Sequence, residues 1–358
     1  MLRRLVRSFT HGNQKSTITK DNLFDTIPAN CDLECHSCTI KYPANFKIEE
    51  GSDLWQTGDD WATHLIVATG KSDWARDVSD EKGSIMEAIN KAKKPTNGKL
   101  KVSASNMCPP PEYYTESSKP TTCVILPSWT QVEMVTPDDV QELVDKFISP
   151  GPTTTTPLES QGLQRCATKE AKHDPAITAT PERQHAETDT DNMQSMADDS
   201  TSDDGTTQSE ELATLTISAT SCPTAADLAA SSYLKSYECP HDYLILLCSH
   251  KHRDARCGQS APLLAKELRR HLQPLGLYRD LDDYRPGGVG IFFINHVGGH
   301  KWSANMIIYR KKAGQGIWLA RVRPHDVEAI VKWTVLEGKV QPDKIRAGFD
   351  RSKGVTSW

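Results

Sequence analysis

Four residues near the end of the chain combine donor types that bind metals. Cys248 ends the apolar run YLILLC, and Cys257 follows after eight intervening residues, CSHKHRDARC. His296 and His300 flank a short segment, HVGGH, between two further apolar runs, IFFIN and ANMIIYR. Two thiols on a loop between a strand and a helix, facing two imidazoles on a glycine-bearing turn, can share one metal site, because loops at strand ends gather functional groups in open α/β sheets. The glycines permit positive φ and close approach of a bulky group. Donor type leaves three readings open: zinc, an iron–sulfur cluster with mixed thiolate and imidazole ligation, or reduced core thiols beside hydrogen-bonded histidines. Eight residues between thiols is wider than most zinc modules use. It is also far from the C-x-x-C of thiol–disulfide enzymes.

Neighbouring residues are candidate supports. Arg253, Asp254 and Arg256 lie between the thiols and are expected to hydrogen-bond to a bound group, to form a docking surface, or to pair with one another. Asn305 follows the second histidine and is expected to orient it. His250 and His252 alternate with Lys251 and Arg253, which predicts exposure for both. A second group, Cys31-x3-Cys35-x2-Cys38 with His36 between, could bind a metal of its own.

These residues need elements to hold them. The chain has 358 residues, 25% charged and 37% hydrophobic, with a formal net charge of −5, which favours two folded units and offers no basic surplus for nucleic acid. Ten cysteines distributed unevenly suit metal or redox use better than a disulfide framework. No run approaches the roughly 18 apolar residues of a membrane span. Between residues 151 and 235 the composition shifts to Thr, Ser, Pro and acids, and Glu187 to Glu211 holds nine acids with no Lys or Arg. Such a stretch reads as a long disordered acidic linker.

The flanks repeat each other. HLIVATGKSDW then SIMEAINKA in the first corresponds to YLILLCSHKHRD then APLLAKELRRHL in the second. The closing segments VTPDDVQELV and VRPHDVEAIV share five of ten positions, each with Pro opening a helix and Asp in its first turn. The expected fold is α/β, two tandem thioredoxin-like α/β sandwich domains in an internal duplication. The expected layout is a basic N-terminus over 1–25, a degenerate first domain over 26–150, the linker over 151–235, the metal-bearing domain over 236–350 and a tail over 351–358. The first copy is degenerate because Ala68 stands where the second has Cys248.

CSHKHRDARCG, HVGGHKWSAN and WLARVRPHDVEAIV, with KYPANFKIE, HLIVATGKSDW and CVILP earlier, resemble the sucrase/ferredoxin-like family, in its fungal actin-patch and mitochondrial-inheritance group. The resemblance covers both flanks and omits the linker. It implies a thioredoxin-like domain holding a [2Fe–2S] cluster through Cys248, Cys257, His296 and His300, hence an electron-transfer or redox protein rather than a catalyst, with donor and acceptor unknown. Competing readings are a zinc-stabilised or metal-free adaptor linked to the actin cytoskeleton, and a thiol–disulfide oxidoreductase. Thr356-Ser357-Trp358 is similar, in two of three positions, to the tripeptide read by the cytosolic iron–sulfur assembly targeting complex, which makes that complex an expected partner through Trp358. Cytoplasmic location follows, although Arg3, Arg4 and Arg7 among apolar residues resemble a mitochondrial presequence and keep the mitochondrion as the alternative.

Overall fold

The two apolar runs THLIVA and YLILLC become β1, Thr63–Ala68, and β6, Tyr243–Cys248, buried on both faces as the central strands of a computed structural model. It describes residues 18–28, 31, 33, 35–115, 120–158 and 234–358. Residues 1–17 and 159–233, which hold the presequence-like start and most of the predicted linker, lie outside the described residues.

Around β1 the first repeat adds α2 (Ile85–Lys91), β2 (Leu100–Ser105), β3 (Thr121–Leu126), β4 (Thr130–Val135) and α3 (Val140–Glu142), which continues as a π-helix over Leu143–Ile148. The four-residue α1 (Lys20–Leu23) precedes it, and β5 (Ser236–Glu238) pairs with β4. Around β6 the second repeat adds α4 (Ala255–Leu272), β8 (Val289–Ile294), β9 (Met306–Arg310), β10 (Gln315–Leu319) and α5 (Val327–Ala329), again continued as a π-helix, over Ile330–Val335. The short β7 (Tyr278–Arg279), β11 (Ile345–Asp350) and β12 (Val355–Thr356) complete the sheet.

Each repeat pairs its first strand in parallel with its second through a helical crossover, and antiparallel with its third. The closing helices start alike, with Asp139 accepting the Thr136 N–H at 2.8 Å and Asp326 accepting the Arg323 N–H at 2.6 Å. Period-two alternation sorts the strand residues. Leu65 and Val67 face α2 and α3, and Ile245 and Leu247 face α4, whose Ala261, Leu264, Leu268 and Leu272 form one buried stripe. Ile66, Ala68, Leu244, Leu246 and Cys248 point the other way into a cluster that both repeats share.

That sharing changes the expected layout. The repeats do not stand as separate tandem domains; they fuse edge to edge in one 12-stranded sheet of order β12-β11-β10-β9-β6-β8-β2-β1-β3-β4-β5, with β7 beside β8. The seam is β2 against β8, where Ser105 opposes Ile294. Asn106 and Asn295, each following the second strand of its repeat, exchange bonds across it. Ala104 N–H donates to Asn295 Oδ1 at 3.0 Å, and Phe293 N–H donates to Asn106 Oδ1 at 2.7 Å. Two unpaired strand edges thereby satisfy each other, which a sequence-local reading of two domains cannot register. The packed chain also runs past residue 150. Thr154 is buried and donates its hydroxyl to Trp61 O at 2.9 Å, and Arg351 holds Thr156 O at 2.8 Å. The eight residues 151–158, expected in the linker, belong to the fold because they cover β1 and the end of β11.

His64 on β1 links the repeats on the shared face, with Nδ1 2.7 Å from Tyr309 Oη and Nε2 2.8 Å from Ser103 Oγ. Burial holds His64 well below the usual histidine range and pushes His241 down to about 4, so both are neutral in the fold. The unfolded chain takes up protons on these rings below about pH 6.5. Stability is therefore complete above that pH and falls as the pH drops toward 4, by up to about 1.4 kcal/mol per ring and pH unit. Urea unfolding across this window is expected to show the acid loss, and His64→Gln with His241→Gln to flatten it; an unchanged slope in that double variant refutes the assignment. Asn106→Ala, which strips the Phe293 N–H of its acceptor, is expected to cost about 1–3 kcal/mol in the same assay at neutral pH. A loss near zero would mean that the seam does not depend on the side chain.

Candidate metal centre

Cys248 is placed by β6, whose end is held to β9's approach by the Cys248 N–H bond to Asn305 O at 3.2 Å. The loop 249–254 then folds back onto α4. Asp254 caps that helix by accepting the Arg256 N–H at 2.9 Å, and Cys257 lies in its first turn, with its N–H bonded to Asp254 O. Gly258 is what allows the return. A Cβ there would stand 2.7 Å from Cβ of Lys251. Loop and helix start together bridge the eight-residue gap that spacing alone reads as wide.

The result is a convergence. Cys248 Sγ, Cys257 Sγ and a ring nitrogen of His296 all lie within 4.8 Å of one another, a group able to hold a metal ion. Cys248 Sγ is 3.8 Å from His296 Nδ1, and Cys257 Sγ is 3.7 Å from Ser303 Oγ. Both thiols are buried and His296 is half-buried. His300 is not inside this group. It is exposed and stands beside His296, ring centroids 5.5 Å apart. The hydrogen bond from Cys257 holds the Cys248 thiol below its ordinary range, and the same contact, with burial, pushes Cys257 up. The shared contact therefore pushes the two thiols in opposite directions.

The turn between the histidines is pinned from below. Gly298 and Gly299 take positive φ, 82° and 68°. Arg346 on β11 donates to Gly298 O at 2.9 Å and to Asn305 Oδ1 at 2.9 Å, while Asn305 Nδ2 donates to Gly299 O at 3.2 Å. Trp318 Nε1 completes the set by donating to Asn305 Oδ1 at 3.1 Å. Burial lowers Arg346 to about 10, which leaves it a cation at neutral pH, stacked 4.2 Å over Trp318. Asn305 is the support that the sequence suggests; Arg346 carries no local signal, since β11 brings it from 46 positions beyond His300.

Other expected supports act differently. Arg256 pairs with Asp254 at 2.9 Å and bonds Lys47 O, and Arg253 bonds Arg76 O, so these three lock the helix start and loop rather than touch sulfur. His252 is exposed and pairs with Asp73 at 2.7 Å. His250 corrects the expectation of exposure: it is buried. Its Nε2 lies 3.0 Å from Trp74 O, and its Nδ1 accepts the His296 N–H at 3.3 Å, which puts its proton on Nε2. It is a bridge from the first repeat to the backbone of a candidate ligand. Alternation with Lys and Arg misled because a six-residue turn has no strand periodicity. Ala68, the counterpart of Cys248, is buried in the shared cluster. Trp358 packs 4.5 Å from Trp61 and 6.1 Å from Phe349, and the Ser357 hydroxyl accepts the Gly348 N–H at 2.8 Å.

Comparison with known proteins gives a family match and several partial relatives. A family model described as sucrase/ferredoxin-like matches residues 54–347. The chain is 47% identical over 105 residues to actin patches distal protein 1 of Saccharomyces cerevisiae, covering 28% of this chain and 33% of that one. It is 38% identical over 100 residues to altered inheritance of mitochondria protein 32 of Clavispora lusitaniae (28% and 33%) and 39% over 98 residues to its namesake in Debaryomyces hansenii (27% and 32%). These alignments span about a third of each relative. No solved structure matches.

Gly299→Ala tests the pinned turn. Its Cβ would meet the Arg346 guanidinium at 2.6 Å in a backbone region that disfavours L side chains. Metal affinity, read by competitive chelator titration, is expected to fall about 10–100-fold, as for lost outer supports elsewhere. Wild-type affinity in this variant would show that the turn does not position the histidines.

Proposed function

This chain belongs to the sucrase/ferredoxin-like family, and from that premise we propose that it is a [2Fe–2S] electron carrier, not a covalent catalyst, with Cys248, Cys257, His296 and His300 as ligands. The observation that carries the reading is the meeting of two buried thiols with the His296 ring within 4.8 Å, beside an exposed His300. The ferredoxin element of the family description supports iron and sulfide over zinc. The cluster would supply a one-electron store. The chain's own residues do the rest: Cys248 and Cys257 hold negative charge away from water, and His300 keeps an imidazole where water reaches it. Arg346 and Asn305 keep the turn from collapsing. Neutral imidazoles in place of thiolates remove negative charge and so raise the potential.

Each repeat runs its sheet in the order second, first, third, fourth strand with the third reversed, which supports two thioredoxin-like units, the first degenerate at Ala68. Among the described residues no helix is long and apolar enough to cross a membrane. A cytoplasmic electron carrier fits the actin-patch name of one relative, and a mitochondrial one the inheritance name of the others. Recognition of Trp358 by the cytosolic iron–sulfur assembly targeting complex is part of the proposal; it requires the last two residues to leave Gly348, Trp61 and Phe349.

The test is electron paramagnetic resonance with iron and sulfide analysis on anaerobically purified protein. A signal from one two-iron centre that appears on reduction is expected, with a potential that falls by about 59 mV per pH unit where one proton follows each electron. His296→Cys with His300→Cys is expected to lower the potential and abolish that slope. An unchanged spectrum in the double variant overturns the histidine ligation. Colourless protein with stoichiometric zinc would favour the adaptor linked to actin. A trapped Cys248–Cys257 disulfide without metal would favour thiol exchange, which the proximity of the two sulfurs permits despite their spacing.

A further inference from the structure

A second group of donors gathers at the opposite end of α4 from Cys257. We propose that Cys35, Cys38, His271 and Glu328 form a structural site for zinc or a similar borderline-soft divalent cation. Cys35 Sγ, a ring nitrogen of His271 and a carboxylate oxygen of Glu328 lie within 4.8 Å of one another, although they come from three separate parts of the chain. Cys35 Sγ is 3.7 Å from His271 Nε2. Cys35 is 5% exposed, and a buried thiol among charged groups is not ordinary core packing. Cys38 is the proposed fourth donor on its C-x-x-C spacing from Cys35; it lies outside the 4.8 Å group, with its N–H on Cys35 O at 3.2 Å and its thiol donating to Ile40 O at 3.4 Å, a bond that metal binding would replace.

The surroundings prepare these donors. Arg270 Nη2 donates to Cys35 Sγ at 3.2 Å and Nη1 to Ser37 Oγ at 3.0 Å, and buried Glu267 neutralises the guanidinium at 2.8 Å. The sulfur is thereby treated as an acceptor, the role a metal-bound thiolate plays toward its outer hydrogen bonds. Arg270 Nη2 also lies 2.8 Å from His271 Nε2, so that nitrogen carries its lone pair rather than a proton, and a metal ion would take the place of the Arg270 N–H there. The set differs from the sequence-local one: Cys31 and His36 are replaced by His271 and Glu328, which only the packing of α4 and α5 brings to Cys35. The site would staple the strandless segment before β1 to both helices of the second repeat, where Cys35 N–H already bonds His325 O at 2.9 Å.

The experiment uses the full chain with Cys248→Ser and Cys257→Ser, so that the first centre contributes no thiolate and failure of the cluster reading cannot be confused with failure of this one. Metal-stripped anaerobic protein is titrated with Co2+, then Zn2+. One equivalent of Co2+ is expected to give thiolate charge-transfer and tetrahedral d–d absorption, displaced by Zn2+. His271→Gln or Cys35→Ser is expected to weaken binding by more than about tenfold, while Cys31→Ser leaves it unchanged. Absence of the bands in the parent, or bands untouched by His271→Gln, overturns the proposal. If those variants fail to fold, peptide-resolved alkylation of the parent decides: Zn2+ is expected to protect Cys35 and Cys38 but not Cys31, and equal alkylation with and without Zn2+ overturns it.

Discussion

Everything at the candidate centre depends on the seam between β2 and β8. Two edge strands, each carrying unpaired backbone groups, are joined by one bridging register and by the reciprocal bonds of Asn106 and Asn295. His296 is the residue after Asn295. Its ring is therefore placed by the joint between the repeats and not by a loop free to choose its own path. His250 reinforces the same constraint, because it bonds the His296 backbone on one side and Trp74 of the first repeat on the other. Removing the first repeat would take away both anchors.

The first repeat shapes the candidate centre without contributing a donor to the Cys248, Cys257 and His296 group. Its Ser72, Asp73 and Trp74 receive bonds from Ser249, Lys251, His252 and His250, so the loop before Cys257 is shaped by its counterpart across the seam. Ala68 fills the place of a cysteine in the shared core. One repeat carries the donors and the other holds their backbone still.

Charge follows the same division of labour. Two thiols sit in an apolar cluster, where a thiolate is costly unless compensated. The cations that act on Cys248 are Lys101 on β2 and Arg346 behind the glycine turn. At the other end of α4 from Cys257, where the dipole does not favour an anion, Arg270 donates to Cys35. Helix α4 therefore has a sulfur-bearing cluster at each terminus, one buried at the seam and one nearer the surface.

Much of this was legible in the residues. Continuous apolar runs marked the strands, proline and aspartate marked the closing helices, and the repetition of both marked a duplication whose units have one strand order. The position of Cys248 at a strand end, of Cys257 near a helix start and of two glycines between the histidines followed from spacing. Tertiary structure decided the rest: that the repeats share a sheet, that His250 is buried, that Arg346 holds the turn and that His271 meets Cys35. The physical reason is that periodicity reports which face of its own element a side chain occupies. Which distant element covers that face is set by edge pairing and loop closure, where no period exists to be read.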